Sequence, residues 1–179
     1  MIAVISAMRV YGRLLRNTSG AVAVEFALIL PILIVMIMGT IEITNLVTAQ
    51  RKVLAAAQTI SDLISQETDV TSTSLDDLIS AGKMVIRPMN TALLSVGVAS
   101  VRFDAASSPS VDWTHSLAGG SVSNATTLAT PLAQANSSVI IVYASFNYTP
   151  VTGTLVIGNK TLSETSITRP RTVSYVGMY

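Results

Sequence analysis

Cysteine is absent from the 179 residues, histidine occurs once, and charged residues make up only 12% of the chain. Without a thiol there is no disulfide framework, no thiolate metal site and no cysteine nucleophile. That absence leaves an oxidising compartment open, where stability would rest on packing and hydrogen bonds alone. The single His115 leaves no room for a two-histidine zinc site. A Ser/His/Asp hydrolase would have to use that histidine, and no G-x-S-x-G stretch accompanies it. The 11 Lys+Arg and 10 Asp+Glu leave a net charge of +1, so nothing electrostatic points to nucleic acid. No cofactor and no metal are expected, and the sequence does not read as that of an enzyme.

What the chain does have is apolar residues, half of its length, and they are concentrated. Residues Met1 to Gly20 are short and basic, with Arg9, Arg13 and Arg16 and no acidic residue. Next comes Ala21 to Ile41, AVAVEFALILPILIVMIMGTI, uncharged from Phe26 onward. Counted from Ala21 the run would be about 31 Å of helix at 1.5 Å per residue, close to the roughly 30 Å hydrocarbon thickness of a bilayer. One carboxylate, Glu25, interrupts its start. Pro31 removes the hydrogen bond to the Ala27 carbonyl and is expected to kink the helix. Three arginines precede the run, whereas Glu42 follows it directly and Arg51 and Lys52 come later. The positive-inside rule then places the N-terminus in the cytoplasm and the remainder outside.

The helix is not expected to stop at the membrane surface. Ile43, Leu46, Val53, Ala57, Ile60 and Ile64 continue at steps that sum from threes and fours, with Gln50 filling the gap. This is one apolar stripe, running to about Gln66. It is either a subunit-packing face or the surface that holds a sheet, or both. The organisation read from the chain is a leader at 1–20, a transmembrane helix at 21–43, an amphipathic helix at 44–66 and an α+β domain at 67–179. Glu67 to Ser74 reads as a loop, and Ser74-Leu75-Asp76-Asp77 resembles a capping box opening a second helix that ends before Pro88. Asp76 and Asp77 read as charges at the N-terminus of that helix, and His115 as a loop or strand-end residue.

Strand signals follow. Val96, Val98, Val101 and Phe103 alternate, and Val111-Asp112-Trp113 is placed to pair with them across a turn at Asp104–Ser110. Ala118 to Asn136 is poor in charge, rich in Gly, Ser and Thr, and reads as loop. Ser138 to Thr149 is the strongest strand, ended by Pro150. Thr161–Thr168 and Thr172–Met178 are two more, separated by Arg169-Pro170-Arg171, whose arginines read as solvated. Helices first and strands after predict an α+β fold in which the long helix packs on a C-terminal antiparallel sheet.

The residues with chemical content are Gly20-Ala21-Val22-Ala23-Val24-Glu25-Phe26. A carboxylate inside an apolar run is costly and points to function. A cut after Gly20 would give Ala21 a new α-ammonium about one helical turn from Glu25, in the same chain or in a neighbour stacked slightly out of register. The two opposite charges would then compensate each other where neither is stable alone. Glycine at the cut lets a peptidase approach the backbone without a side chain in the way.

This run, RNTSGAVAVEFALILPILIVMIMGTIE, resembles the TadE/TadG-like proteins of the tight-adherence (Tad, or Flp) pilus system. The resemblance rests on Gly20, the Val24-Glu25-Phe26-Ala27 core, Pro31 within the apolar helix, Gly39…Glu42 at its exit, and the Arg51-Lys52-Val53-Leu54-Ala55-Ala56-Ala57 continuation. Thr161-Leu162-Ser163…Arg169-Pro170-Arg171 looks like the C-terminal end of alphaproteobacterial members. Asp104-Ala105-Ala106-Ser107-Ser108 does not match the D-x-S-x-S motif of the longer TadG type, so the chain is similar to the short TadE-like type.

The resemblance implies a pilin-like fold and a pseudopilin or minor pilin of the bacterial inner membrane, single-pass, with a periplasmic domain. A membrane prepilin peptidase would cut between Gly20 and Ala21, with Glu25 and Phe26 as recognition and assembly residues. Other Tad pilins, the inner-membrane assembly platform and the lipid bilayer would be the partners. Two alternatives remain open from the residues alone. One is a single-pass membrane-anchored binding or adhesin module. The other is a secretory signal sequence cut after Val47-Thr48-Ala49, although the apolar run exceeds the usual roughly 7–15 residue length of such segments.

Overall fold

The apolar run and the stripe behind it form one uninterrupted helix. In the computed structural model, which describes residues 19–151 and 157–179, α1 spans Ser19–Gln66, 48 residues. The three arginines read as a basic leader lie outside the described residues. Pro31 sits inside α1 without ending it. From Gly20 to Ile37 every residue is exposed, with Val22, Leu28 and Met36 each 64% or more accessible. A helix long and apolar enough to cross a membrane therefore projects from the domain with all its faces uncovered.

The domain begins where that helix becomes amphipathic. Ala49, Val53, Ala56, Ala57, Ile60 and Ile64 are buried, at spacings that follow the 3.6-residue turn. The stripe thus passes through Ala49 and not through Gln50, which is exposed and bonds Glu164 at 3.0 Å. Ile43, expected in the stripe, is 55% exposed, because the residue facing the domain at that level is Glu42.

A two-residue strand, β1 (Asp69–Val70), interrupts the expected loop, and α2 (Ser72–Lys83) follows. Its capping box is one turn earlier than the sequence suggests. Thr71 Oγ1 accepts from the Ser74 amide at 3.1 Å and Ser74 Oγ from the Thr71 amide at 2.8 Å. Starting there puts Leu75 and Ile79 on one face, where both are buried in the core shared with α1. A 3₁₀ turn (Met84–Ile86) carries the chain to Pro88.

Four strands make the main sheet: β2 (Leu94–Phe103), β3 (Pro109–Leu117), β4 (Ser138–Tyr148) and β5 (Lys160–Thr168). All pairs are antiparallel and the order is β3-β2-β4-β5. Alternation along the two central strands separates two cores. Leu94, Val96, Val98, Ile140, Val142, Ala144 and Phe146 face α1 and α2. Ala99, Val101, Phe103, Val139 and Ile141 face the opposite side.

That second face is covered by the segment read as loop, which contains a short helix, α3 (Ala125–Ala129), and a 3₁₀ turn (Thr130–Leu132). The segment leaves β3 through Gly119, at φ +79°, and then crosses β2 backbone against backbone. A Cβ on Gly120 would stand 2.2 Å from the Val96 carbonyl carbon, and one on Gly97 would stand 2.7 Å from the Ser121 backbone, so the crossing requires glycine on both sides.

The last expected strand, Thr172–Met178, shrinks to β6 (Gly177–Met178), which pairs in parallel with β1. The rest of that stretch has no ladder partner because it bends around the end of the domain remote from the apolar helix. Arg169 and Arg171 hold it there and are not merely solvated. Arg169 donates to Gln134 Oε1 at 2.7 Å and to the Leu132 carbonyl at 2.6 Å, while Arg171 forms an ion pair with Asp62. Trp113 Nε1 donates to the Val176 carbonyl at 2.8 Å, and Arg102 stacks on Tyr175 with its guanidinium carbon 3.8 Å from the ring centre.

Candidate functional site

The residues singled out in the sequence lie together on the first two turns of α1. Gly20 has nothing within 4 Å of where a Cβ would be, and Ala21, Glu25 and Phe26 are all exposed. Ala21 and Glu25 are four residues apart, one turn, and so share a helix face. The Glu25 carboxylate has no hydrogen bond or ion pair among the described residues. The apolar helix therefore brings the glycine, the alanine and the carboxylate together at the start of its described span, about 25 Å along the axis from Glu42 where the domain begins. His115 and Asp76 are elsewhere: His115 Nε2 lies 2.8 Å from Asp76 Oδ1, joining β3 to α2.

The opposite end of the apolar helix holds a feature the sequence reading did not single out. Glu42 is fully buried, and Tyr148 at the end of β4 donates its phenol to the Glu42 carboxylate at 2.5 Å. Burial holds the Tyr148 phenol up, and the adjacent carboxylate raises it further, to about 12. The two residues are 106 positions apart, and no local pattern pairs them. The only signal is that Glu42 stands at the point where the apolar run ends.

Around this junction the helix surface stays apolar. Thr40, Thr44 and Thr48 donate their hydroxyls to the carbonyls of Met36, Thr40 and Thr44 at 2.8–2.9 Å, so those donors are satisfied within the helix. Ile41 and Ile43 are exposed beside them. A cleft of about 310 Å³ opens next to Tyr148, between α1 at Asn45, Thr48 and Lys52 and the turns at Pro88–Met89 and Val151. Lys52 Nζ donates to the Arg87 carbonyl across it.

No curated protein and no solved structure matches the chain. A family model does match, over residues 20–61, and its description is TadE-like protein. The match begins at Gly20, beside the start of the described helix, and closes within the buried part of α1, so it takes in Glu25, Pro31 and Glu42. Over this helix, from Gly20 to Ser61, the chain is similar to TadE-like proteins, the family its sequence resembles.

Proposed function

We propose that the protein is a minor pilin or pseudopilin that assists assembly of a Tad (type IVc) adhesion pilus. A prepilin peptidase matures it by cutting between Gly20 and Ala21, and Glu25 then pairs with the α-ammonium of Ala21 or of a neighbouring pilin. The observation that carries this reading is the free apolar helix. Its first five turns are exposed on every face and end in Gly20 and Glu25, and the family match starts at that same glycine.

The chemistry follows from the surroundings of α1. In lipid, Glu25 is tolerated when an opposite charge or a donor meets it. A new terminal ammonium one turn away provides that charge, and so does the terminus of a neighbouring copy. Pro31 frees the Ala27 carbonyl and makes a kink in mid-span inexpensive. The role is structural, exercised through helix packing with other pilins and the inner-membrane platform. The N-terminus is cytoplasmic before cleavage, in keeping with Arg9, Arg13 and Arg16 ahead of the span.

A cut after Ala49 is disfavoured. Ala49 is 1% exposed, lies in mid-helix and packs in the main core, so cleavage there would remove Glu42 from Tyr148 and sever a packed rod. The deciding measurement is the N-terminus of the protein isolated from its native membrane, by intact mass or terminal sequencing. A start at Ala21 is expected. A start at Gln50 would make it a secreted domain and a start at Met1 a plain membrane anchor; either overturns the proposal.

A further inference from the structure

Charge is divided along the axis of the domain. At the end remote from the apolar helix lie Asp62, which pairs with Arg171, Asp69, which stands opposite Gly177, and Asp104, which follows the last residue of β2. The arginines there are engaged: Arg102 with Asp112 at 2.9 Å and Arg171 with Asp62. The end next to the apolar helix is different. Lys160 stands opposite Tyr148 in the β4–β5 register, and Tyr148 reaches Glu42, so Lys160 is one strand away from the level at which the apolar run ends. Arg87 directly precedes Pro88 and Met89 of the cleft wall, and its carbonyl accepts from the ammonium of Lys52, which also lines the cleft. Neither Arg87 nor Lys160 has an acidic partner among the described residues. Along β5 the first carboxylate after Lys160 is Glu164, four residues on and about 13 Å along the strand.

We infer that this basic end of the domain seats directly on anionic phospholipid headgroups of the leaflet from which α1 emerges, with Arg87 and Lys160 facing the phosphates and the cleft at Val151 open to the lipid. The inference rests on the membrane-spanning reading of α1, with the hydrocarbon boundary at Glu42. From there Asn45 is about 5 Å and Lys52 about 15 Å along the axis. The headgroup layer occupies roughly the first 5–8 Å of that distance. Long basic side chains reach down toward it, and the rest lies within about one Debye length of the anionic surface.

The apolar component is continuous with the span. Ile41 and Ile43 carry the exposed surface of the helix upward, and Val151, 81% exposed, stands at the cleft mouth beside it. An apolar tip flanked by unpaired cations suits an interface of acyl chains below and phosphates above. A neutral or acidic protein surface would meet only half of that pattern. Seated in this way, the domain would have its tilt fixed by the membrane and its acidic end presented outward.

The chain has no cysteine, so single labels can be placed cleanly. Full-length protein carrying Ile29→Cys, Val151→Cys or Asp77→Cys is labelled with an environment-sensitive fluorophore. It is reconstituted into nanodiscs of phosphatidylcholine, or of phosphatidylcholine with phosphatidylglycerol, containing brominated acyl chains. The label at Ile29 should be quenched in both lipids and the label at Asp77 in neither. The label at Val151 should be quenched and blue-shifted, more strongly with phosphatidylglycerol. Adding Arg87→Glu and Lys160→Glu should abolish that extra quenching. A Val151 label as unquenched as that at Asp77, with Ile29 quenched, overturns the seating while leaving the span intact. Equal Val151 quenching in both lipids, unaffected by the charge reversals, overturns the headgroup assignment. An unquenched Ile29 label overturns the spanning reading itself.

Discussion

Replacing Tyr148 with phenylalanine removes one oxygen atom, the one that donates to the buried carboxylate of Glu42. The ring stays, so almost no apolar area is lost and the change isolates the hydrogen bond. A hydrogen bond to a charged group contributes about 1.5–3 kcal/mol. The titration of Tyr148 reflects the same contact. Its phenol is held at about 12 instead of 10.0, first by burial and then by the hydrogen bond and charge of Glu42. At about 1.4 kcal/mol per unit the whole effect is roughly 3 kcal/mol. Burial takes the largest share of it, so the part due to Glu42 falls at the low end of the range from hydrogen-bond energetics. An expected loss of about 1–2 kcal/mol corresponds to a melting temperature lower by roughly 3–12 °C.

The pH dependence has a definite sign. The folded-state value lies above the ordinary one, so this contribution is fully present below about pH 10 and is lost as the pH rises through about 12. Thermal unfolding of the full chain in detergent micelles, followed through its single tryptophan, reads both effects. The Tyr148→Phe protein should melt lower at neutral pH, and the gap to the parent should close above about pH 12. Glu42→Gln should move the Tyr148 phenolate absorbance toward the ordinary tyrosine range. The reasoning fails if Tyr148→Phe melts with the parent, or if the two lose stability in parallel across the alkaline range.

Four further outcomes follow from other contacts. Glu25→Ala should leave the chain inserted in the membrane but impair pilus assembly, and unchanged piliation by electron microscopy would remove Glu25 from the mechanism. Gly20→Leu should leave the precursor uncut; a mature-sized band on immunoblots would count against the proposed site. Gly120→Ala drives a Cβ to 2.2 Å from the Val96 carbonyl carbon and should cost about 1–3 kcal/mol, since backbone on both sides must shift; an unchanged melting temperature would show that the crossing is looser than its geometry. Arg169→Ala breaks the bonds to Gln134 and Leu132 and should speed amide exchange across residues 124–136 while the central strands stay protected, whereas unchanged exchange would mean that α3 alone holds the segment.

The parts of the fold that were legible in the sequence are those written in a local period. Val53, Ala57, Ile60 and Ile64 are buried as their spacing requires, and β4 reads as a nearly continuous apolar run because both of its faces are covered. The period blurs where partners decide. Gln50 sits beside the stripe but turns to Glu164, and the segment from Ala118 to Asn136 looks like loop because its ordering comes from a glycine crossing and from Arg169, neither of which leaves a periodic trace.

The two carboxylates that bracket the apolar helix show the limit most clearly. In the sequence Glu25 and Glu42 are alike, each an acid at the margin of a hydrophobic run. The fold separates them. Glu42 is met by a tyrosine 106 residues away, a pairing set by the register of β4 against α1, and it fastens the rod to the domain. Glu25 lies beyond the reach of every described element of its own domain, since α1 carries it about 25 Å away. An acid satisfied within its own chain serves the architecture of that chain. An acid held on a free apolar helix needs a counter-charge from outside the domain, from its own cleaved terminus or from a neighbour. That difference, visible only in three dimensions, is why mutating Glu42 should register first in stability and mutating Glu25 first in assembly.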